Sequence, residues 1–346
     1  MRNFQKPMRL RPGDKVAVLS PSWGGPNLYP SVFDAGLTYL RDLLGVSVQE
    51  YPTTRMSPSD LHDNPRLRAD DVNAAFADPS VRAIFASIGG DDSVRLLPYL
   101  DAAVLAANPK ILMGFSDTTI LLTYANQLGF VTFSGPSIMA GFAQTKALPR
   151  QFVAHVRQIL TEPSENYEYA AYPERVIKSQ RWEAEKYAAA LDYAPNKGWR
   201  WLQGDTVTRG RLFGGCLEVL EFLKSTQWWP KPEFWQGKIL FLETSEDKPT
   251  VDQVTYMLRN YGMQGIFDQL AGLLFARPEG YTPEERETLF RAIVSVVAGE
   301  FGRGDLPIVA EMDFGHEAPQ CILPLGVIAE IDCRRQAFRL VEPCVL

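Results

Sequence analysis

The chain has 346 residues, 46% of them hydrophobic, enough to bury one large core or two ordinary ones, and this length favours two domains. A formal net charge of −6 argues against a nucleic-acid backbone or an anionic membrane as the main partner, since either needs a cationic face. The opening stretch to Arg11 is basic but lacks the apolar run of a signal peptide, and no later segment is long and apolar enough to span a bilayer, so a cytoplasmic protein is expected.

Lys15-Val16-Ala17-Val18-Leu19 is an apolar, β-branched run that breaks at Ser20-Pro21-Ser22 and Gly24-Gly25-Pro26, the pattern of a strand ending in a loop. Helical spacing of Val32, Leu37, Leu40 and Leu43-Leu44 predicts a helix over 31–44 that Gly45 stops. Val46-Ser47-Val48 reads as a short strand, and 64–76 as a helix entered through Pro65 and left at Asp78-Pro79. Ala83 to Ile88 is a third strand, broken by Gly89-Gly90, and a helix is expected from about Ser93. Ile111-Leu112-Met113-Gly114 is a fourth strand that presents Ser116 and turns at once into a helix beginning at Asp117 and running to Leu128, before a fifth strand at Val131-Thr132-Phe133. Strand and helix alternating five times, with continuous apolar strands, imply a parallel sheet covered on both faces. Ligands of such sheets sit at the carboxyl ends of the strands, where the Gly24, Gly89 and Ser116 loops fall.

None of these loops matches G-x-G-x-x-G or a phosphate-binding G-x-x-x-x-G-K-[ST], which weighs against a dinucleotide cofactor. Gly89-Gly90 lets backbone approach a neighbour closely, and it reads equally as an ordinary strand-ending turn. Between Thr161 and Thr208 the periodicity lapses into a stretch rich in Glu, Tyr, Trp and Pro, with Arg181-Trp182-Glu183, Tyr187, Tyr193 and Trp199-Arg200-Trp201. Such aromatics suit either the packing of a domain junction or the stacking of a flat ligand. A second alternating region follows, with strands at 238–242, 272–275 and 308–310, helices at 216–223, 251–258 and 283–297, and paired strands at 326–332 and 336–340. It is read as a second α/β domain with its own sheet. The expected domains are therefore residues 1–160, a linker at 161–208, and 209–346.

Cys216, Cys321, Cys333 and Cys344 show no C-x-x-C spacing, so neither a zinc site nor a disulfide framework is indicated and buried, unpaired thiols are expected. His62, His155 and His316 are the only histidines, which leaves few candidates for a base near neutral pH. A serine on a tight turn between a buried strand and a helix N-terminus is a place for a nucleophile, although Ser116 or Asp117 could equally cap that helix. Glu243 ends an apolar strand and His316 follows Gly315 in a loop; singly each has an ordinary structural reading. With Ser116 they supply a hydroxyl, an imidazole base and a carboxylate to orient it. His62 lies in a polar loop and His155 in a predicted helix, and neither is as well placed. If Gly90 comes beside Ser116, its N–H and that of Asp117 could hold an oxyanion.

Ile88-Gly89-Gly90-Asp91-Asp92-Ser93 with Arg95 to Asp101, then Gly114-Phe115-Ser116-Asp117-Thr118-Thr119, Leu242-Glu243-Thr244-Ser245-Glu246 and Phe314-Gly315-His316 resemble the LD-carboxypeptidase family of serine peptidases. Within it the length, the Gly-Gly-Asp-Asp run and the aromatic insert are more similar to the microcin C self-immunity branch than to the shorter murein tetrapeptide carboxypeptidases. The resemblance implies a flavodoxin-like parallel-sheet N-terminal domain and a second α/β domain completing the site, a homodimer, and no metal or other cofactor. It implies a Ser116, Glu243, His316 triad, an oxyanion hole of backbone N–H groups at Gly90 and Asp117, and substrate contacts at Gly89, Asp91 and Trp182. The implied reaction is hydrolysis of an amide bond through an acyl-enzyme, on a peptidyl or aminoacyl nucleotide in the immunity branch. Release of terminal D-alanine from murein tetrapeptides would use the same triad, and a noncatalytic ligand-binding module that keeps the fold is the alternative of another class.

Overall fold

The structure, a computed structural model, describes residues 4–177, 182 and 191–346. Arg181, Glu183 and Tyr187 of the aromatic insert lie outside the described residues. The first half is built on five parallel strands, β1 (Lys15–Leu19), β2 (Ser47–Glu50), β3 (Val81–Ala86), β4 (Ile111–Gly114) and β5 (Thr132–Ser134), ordered β2-β1-β3-β4-β5. That order is the flavodoxin-like one, and the chain changes direction across the sheet between β1 and β3. The central strands are apolar apart from Lys15 and Arg82 near their amino ends, because helices cover both faces. The helix Pro30–Leu44 buries Val32, Phe33, Leu37, Leu40, Leu43 and Leu44, a stripe at three- and four-residue spacing.

Two local expectations shift. No α-helix begins at Ser93: Ser93–Tyr99 is a 3₁₀ turn containing Pro98, which cannot donate to a helical ladder. The α-helix starts instead at Ala102, where the Asp101 carboxylate accepts from the N–H groups of Ala103 and Val104, both at 3.0 Å. After β4, Ser116–Thr118 forms one 3₁₀ turn before the helix Thr119–Leu128.

The second half has its own eight-stranded sheet, whose centre is four parallel strands: Val207–Cys216, Lys238–Glu243, Gly272–Ala276 and Ile308–Met312. Ile328–Asp332 and Ala337–Leu340 extend it antiparallel on one side. The segment expected to be an irregular linker contributes both outermost strands, Tyr167–Tyr169 beside Ala337–Leu340 and Arg200–Gln203 beside Ile308–Met312. It also forms a two-stranded ribbon of Glu174–Val176 with Tyr193–Pro195. Strands of three or four residues on a sheet edge carry too little alternation to show in a periodicity. Leu323–Leu325 crosses back to pair with β5, so the first sheet is completed by the second half of the chain.

The two sheets meet where Cys216 N–H donates to Thr119 Oγ1 at 3.2 Å. Cys216 is the register partner of Glu243, and Thr119 lies three residues after Ser116. One contact therefore ties the end of the Glu243 strand to the turn that carries Ser116. The loops after β1 and β3 are tied in turn by Arg68, whose side chain is fully buried. Its guanidinium donates to the Pro21 carbonyl at 3.0 Å and forks onto the Asp92 carboxylate, with Nη2 to Oδ2 at 3.1 Å. Arg68→Ala deletes a fully buried side chain and its bonds to the Pro21 carbonyl and Asp92, although Asp92 keeps the more exposed Arg95 at 2.9 Å, so the substitution is expected to lower stability by about 3 kcal/mol in urea unfolding.

Candidate active site

A cavity of about 940 Å³ opens at the carboxyl ends of both parallel sheets, and the loops after β1, β3 and β4 form one of its walls. Ser116 lies in that wall with a φ of 56°, in the left-handed region that a serine rarely adopts. A strained residue between a strand and a helix is the geometry that lifts a nucleophile off a sheet edge. The Ser116 hydroxyl has no hydrogen-bond partner among the described residues. Gly89 lies directly over it: a Cβ built there would sit 2.8 Å from Ser116 Cβ and 2.9 Å from Oγ, so only glycine permits this approach.

Glu243 and His316 come together from the second half. Glu243 ends a fully buried strand, and its Oε2 takes the Nδ1 edge of His316 at 2.6 Å. Side-chain exposures of 3% and 7% make this a buried pair. Gly315 makes the approach possible, because an added Cβ would lie 2.7 Å from Glu243 Cβ and Oε2, and its φ is +84°. The His316 ring packs edge-on against Phe115, the residue before Ser116, with centroids 5.0 Å apart. His316 Nε2 is held by Glu246 Oε2 at 3.0 Å, on a carboxylate whose side chain is 67% exposed. Burial opposes charge on the imidazole, but Glu243 and Glu246 together outweigh it and hold its pKa well above the ordinary histidine range. The His316 contact carries Glu246 the other way, down to about 2. The ring thus stands between two carboxylates, and burial pushes the Glu243 carboxyl up while the imidazole beside it pulls it down.

The other two histidines stand elsewhere. His62 is on the surface beside Asp92 and Arg95. His155 is buried with Nδ1 on the Tyr167 hydroxyl at 2.6 Å and Nε2 accepting from the Ile322 N–H at 2.7 Å, and burial lowers its pKa to about 3. It is a neutral packing histidine. Cys216, Cys321 and Cys344 are buried free thiols, and Cys333 is free and half-buried.

Of the remaining candidates, Gly90 and Asp91 are exposed on the cavity wall beside Gly89, and the Gly90 N–H has no acceptor among the described residues. Asp117 is fully buried; its carboxylate accepts from the Ser93 N–H, and its carbonyl from the Ser93 hydroxyl, both at 2.8 Å. Its side chain therefore braces the Gly89–Ser93 loop against the Ser116 turn. Trp182 lines the cavity and stacks on Trp23 with centroids 5.6 Å apart, edge-on to Tyr29 at 5.5 Å. Sequence reasoning misses Trp23, although its place in the loop after β1 is a signal for it. It also misses Arg175, Arg286 and Glu317, which line the cavity.

The N-terminal domain of the LD-carboxypeptidase family matches residues 16–135 and its C-terminal domain matches 209–331. The chain belongs to the LD-carboxypeptidase family. It is accordingly a peptidase with that family's two-domain α/β architecture. The microcin C7 self-immunity protein MccF of Escherichia coli is 29% identical over 280 residues, covering 80% of this chain and 78% of MccF. An MccF-like protein from Streptococcus pneumoniae, solved in complex with AMP, superposes with a TM-score of 0.82 at 28% identity, over 94% of this chain and 98% of that one. MccF in complex with aspartyl sulfamoyl adenosine superposes with a TM-score of 0.85 at 25% identity, over 99% and 100% of the two chains.

The buried pair links pH to stability. The imidazole pKa is raised on folding, so the stabilisation is complete below its unfolded value of about 6.5 and is lost as pH rises through the raised value. The stability gap between the unaltered protein and His316→Asn is therefore expected to be wider at about pH 6 than at about pH 9 in urea unfolding. Gly315→Ala should abolish most of this pH dependence, because its Cβ displaces Glu243 from the ring.

Proposed function

We propose that the protein is a serine amidase of the LD-carboxypeptidase family that cleaves peptidyl or aminoacyl nucleotides through an acyl-enzyme on Ser116. The observation that carries this reading is the buried Glu243–His316 bond, with its ring against Phe115 and its Nε2 edge on the same cavity as the strained Ser116. A carboxylate on Nδ1 fixes the tautomer, so that neutral imidazole would offer Nε2 as the base. His316 would take the Ser116 proton as Oγ attacks the carbonyl carbon, with the N–H groups of Gly90 and Asp117 holding the oxyanion. The C–N bond then breaks, the leaving nitrogen receives the proton from His316, and water, deprotonated by the same ring, releases the acyl group. Because Ser116 belongs to residues 1–160 while Glu243 and His316 belong to 209–346, we take activity to require both domains.

The nucleotide preference is supported by the aromatic corner of Trp23, Tyr29 and Trp182 at one side of the cavity, a platform for a nucleobase. It is also supported by the AMP and aspartyl sulfamoyl adenosine held by the similar structures. Gly89 and Asp91 would lie along the bound acyl portion.

The deciding comparison is hydrolysis of an aminoacyl sulfamoyl adenosine against a murein tetrapeptide. Preference for the first supports the proposal, preference for the second makes the protein a cell-wall peptide trimmer, and cleavage of neither favours a binding module. Ser116→Ala and His316→Ala are each expected to cut turnover by about 10⁴-fold. Trp182→Ala should weaken binding of the nucleotide substrate by about 1–3 kcal/mol, the range for one base–aromatic stack, with little change in turnover at saturation.

A further inference from the structure

Three arginines cluster around Glu317, the residue after His316. Arg277, with a side chain 2% exposed, pairs with Asp313 and Glu311 at 2.9 and 3.0 Å. Arg286, at 12%, donates to the Tyr281 carbonyl at 3.2 Å and to Glu317 Oε1 at 2.8 Å, and lies 3.5 Å from Glu311. Arg175 is the outermost, at 25%, and its Nη1 reaches the same Glu317 oxygen only at 3.3 Å. Its Nε and Nη2 have no acceptor among the described residues. One whole edge of the guanidinium, the edge that forks onto a carboxylate or a phosphate, is therefore unused.

That edge belongs to the cavity and is fixed relative to the imidazole. Arg175 is in the strand Glu174–Val176, and the Val176 N–H donates to the Ala318 carbonyl at 2.9 Å, so the strand is tied to both residues that follow His316. The two strands of this ribbon are joined by the segment that carries Trp182. Arg175, Val176 and Trp182 all line the cavity. The carboxylates of Asp91, Glu246, Asp247 and Glu279 line it too, and among the described lining residues the cationic side chains besides His316 are Arg175 and Arg286. An anion entering this space meets mostly negative walls, and Arg286 has its donors engaged. The free edge of Arg175 is where it can settle.

The proposed reaction supplies such an anion at a defined place. The leaving nitrogen of an amide held at Ser116 must lie within reach of His316, which returns a proton to it. In an acyl nucleotide that nitrogen is bonded to the phosphorus; in a peptide losing its last residue it is one carbon away from the terminal carboxylate. Either way a negatively charged group sits next to the atom that His316 serves, on the side of the scissile bond away from the acyl portion. We infer that Arg175 is a specificity residue that binds the anionic group carried next to the leaving nitrogen. This rests on the function proposed above for the presence of an amide at Ser116. Nε and Nη2 donate to two oxygens of the anion while Nη1 stays on Glu317, so the contact that orients Arg175 survives binding. The length and acylation of the chain on the other side of the amide do not enter. An amide inside a longer peptide carries no charge at that place and is not held.

The test is calorimetry on the full chain carrying Ser116→Ala, so that nothing is cleaved, with two pairs of ligands: AMP against adenosine, and a murein tetrapeptide against its C-terminal amide. With Arg175 present, the anionic member of one pair is expected to bind at least about 10-fold more tightly than the neutral one. Adding Arg175→Gln should reduce that preference to less than about 2-fold by weakening the anionic ligand alone. Arg175→Lys, which keeps the charge and loses the fork, should restore a preference of about 3-fold or more, which a damaged ribbon could not do. The pair that responds tells phosphate from carboxylate. A preference that survives Arg175→Gln, equal weakening of both members of a pair, absence of any anion preference, or failure of all four ligands to bind would each overturn the inference. A preference that survives Arg175→Gln in a protein that still hydrolyses aminoacyl sulfamoyl adenosine would sink this inference alone. A response confined to the tetrapeptide pair would instead strike the nucleotide reading and leave Arg175 in its role.

Discussion

The bond between the Glu243 carboxylate and the His316 imidazole is the constraint that the rest of the structure serves. A carboxylate at 3% exposure is costly unless it is paired, and here the partner is a ring that is itself nearly buried. The pairing demands that a loop pass within touching distance of a strand end, which Gly315 permits. It also demands that the loop be held still. Asp313, three residues before His316, does this: its carboxylate accepts from Arg277, Asn196, the Trp199 indole and the Tyr172 N–H. Three of those four donors, at 172, 196 and 199, belong to the stretch that looks irregular in sequence. Part of the aromatic insert is therefore structural support for the imidazole, and part of it, at Trp182, faces the cavity.

Neither half of the chain carries all three candidate catalytic side chains. Ser116 hangs from β4, and Glu243 and His316 from the second sheet, so their relative position depends on what joins the sheets. Thr119 against Cys216 makes the join close to the site, and Leu323–Leu325 makes it again at the edge of the first sheet. Both joins are short, and both involve segments within ten residues of a candidate catalytic side chain. The cavity at the carboxyl ends of the strands follows from the topology: parallel strands deliver their loops to one edge, and two parallel sheets facing each other deliver two sets.

Much of the fold is legible in the sequence because its strands are buried on both faces. Val16–Leu19, Ala83–Ala86 and Ile239–Leu242 are continuous apolar runs between glycine- or proline-marked turns, and such runs have few alternative readings. Tyr167–Tyr169 and Arg200–Gln203 are not legible, because an edge strand of three or four residues makes no pattern. Ser116 can be suspected from local sequence alone, since a strand, a glycine and a serine at a helix start imply a turn. Glu243 and His316 can be read only jointly, as members of a set of three roles. Glu246 stands in the same motif as Glu243, but no spacing rule places two carboxylates three residues apart on opposite edges of one ring. That depends on the turn at 246–247 and the left-handed backbone at Lys248, which tertiary packing sets.

The two carboxylates on His316 differ in one property that decides how the ring is used. Glu243 is out of water, so its attraction for the imidazolium is little screened and breaking the contact would leave a buried charge alone. Glu246 is mostly in water, so solvent screens its attraction and rehydrates it when it leaves. The ring therefore yields its Nε2 edge and keeps its Nδ1 edge, whatever displaces the outer carboxylate. Both carboxylates favour charge on the ring, Glu243 more strongly than Glu246, so the buried contact fixes the imidazole in place and the exposed one adds a weaker hold on its solvent edge. Ser116 stands in the same cavity on an unfavourable φ, its hydroxyl without a partner among the described residues and so free to meet whatever occupies the space in front of it.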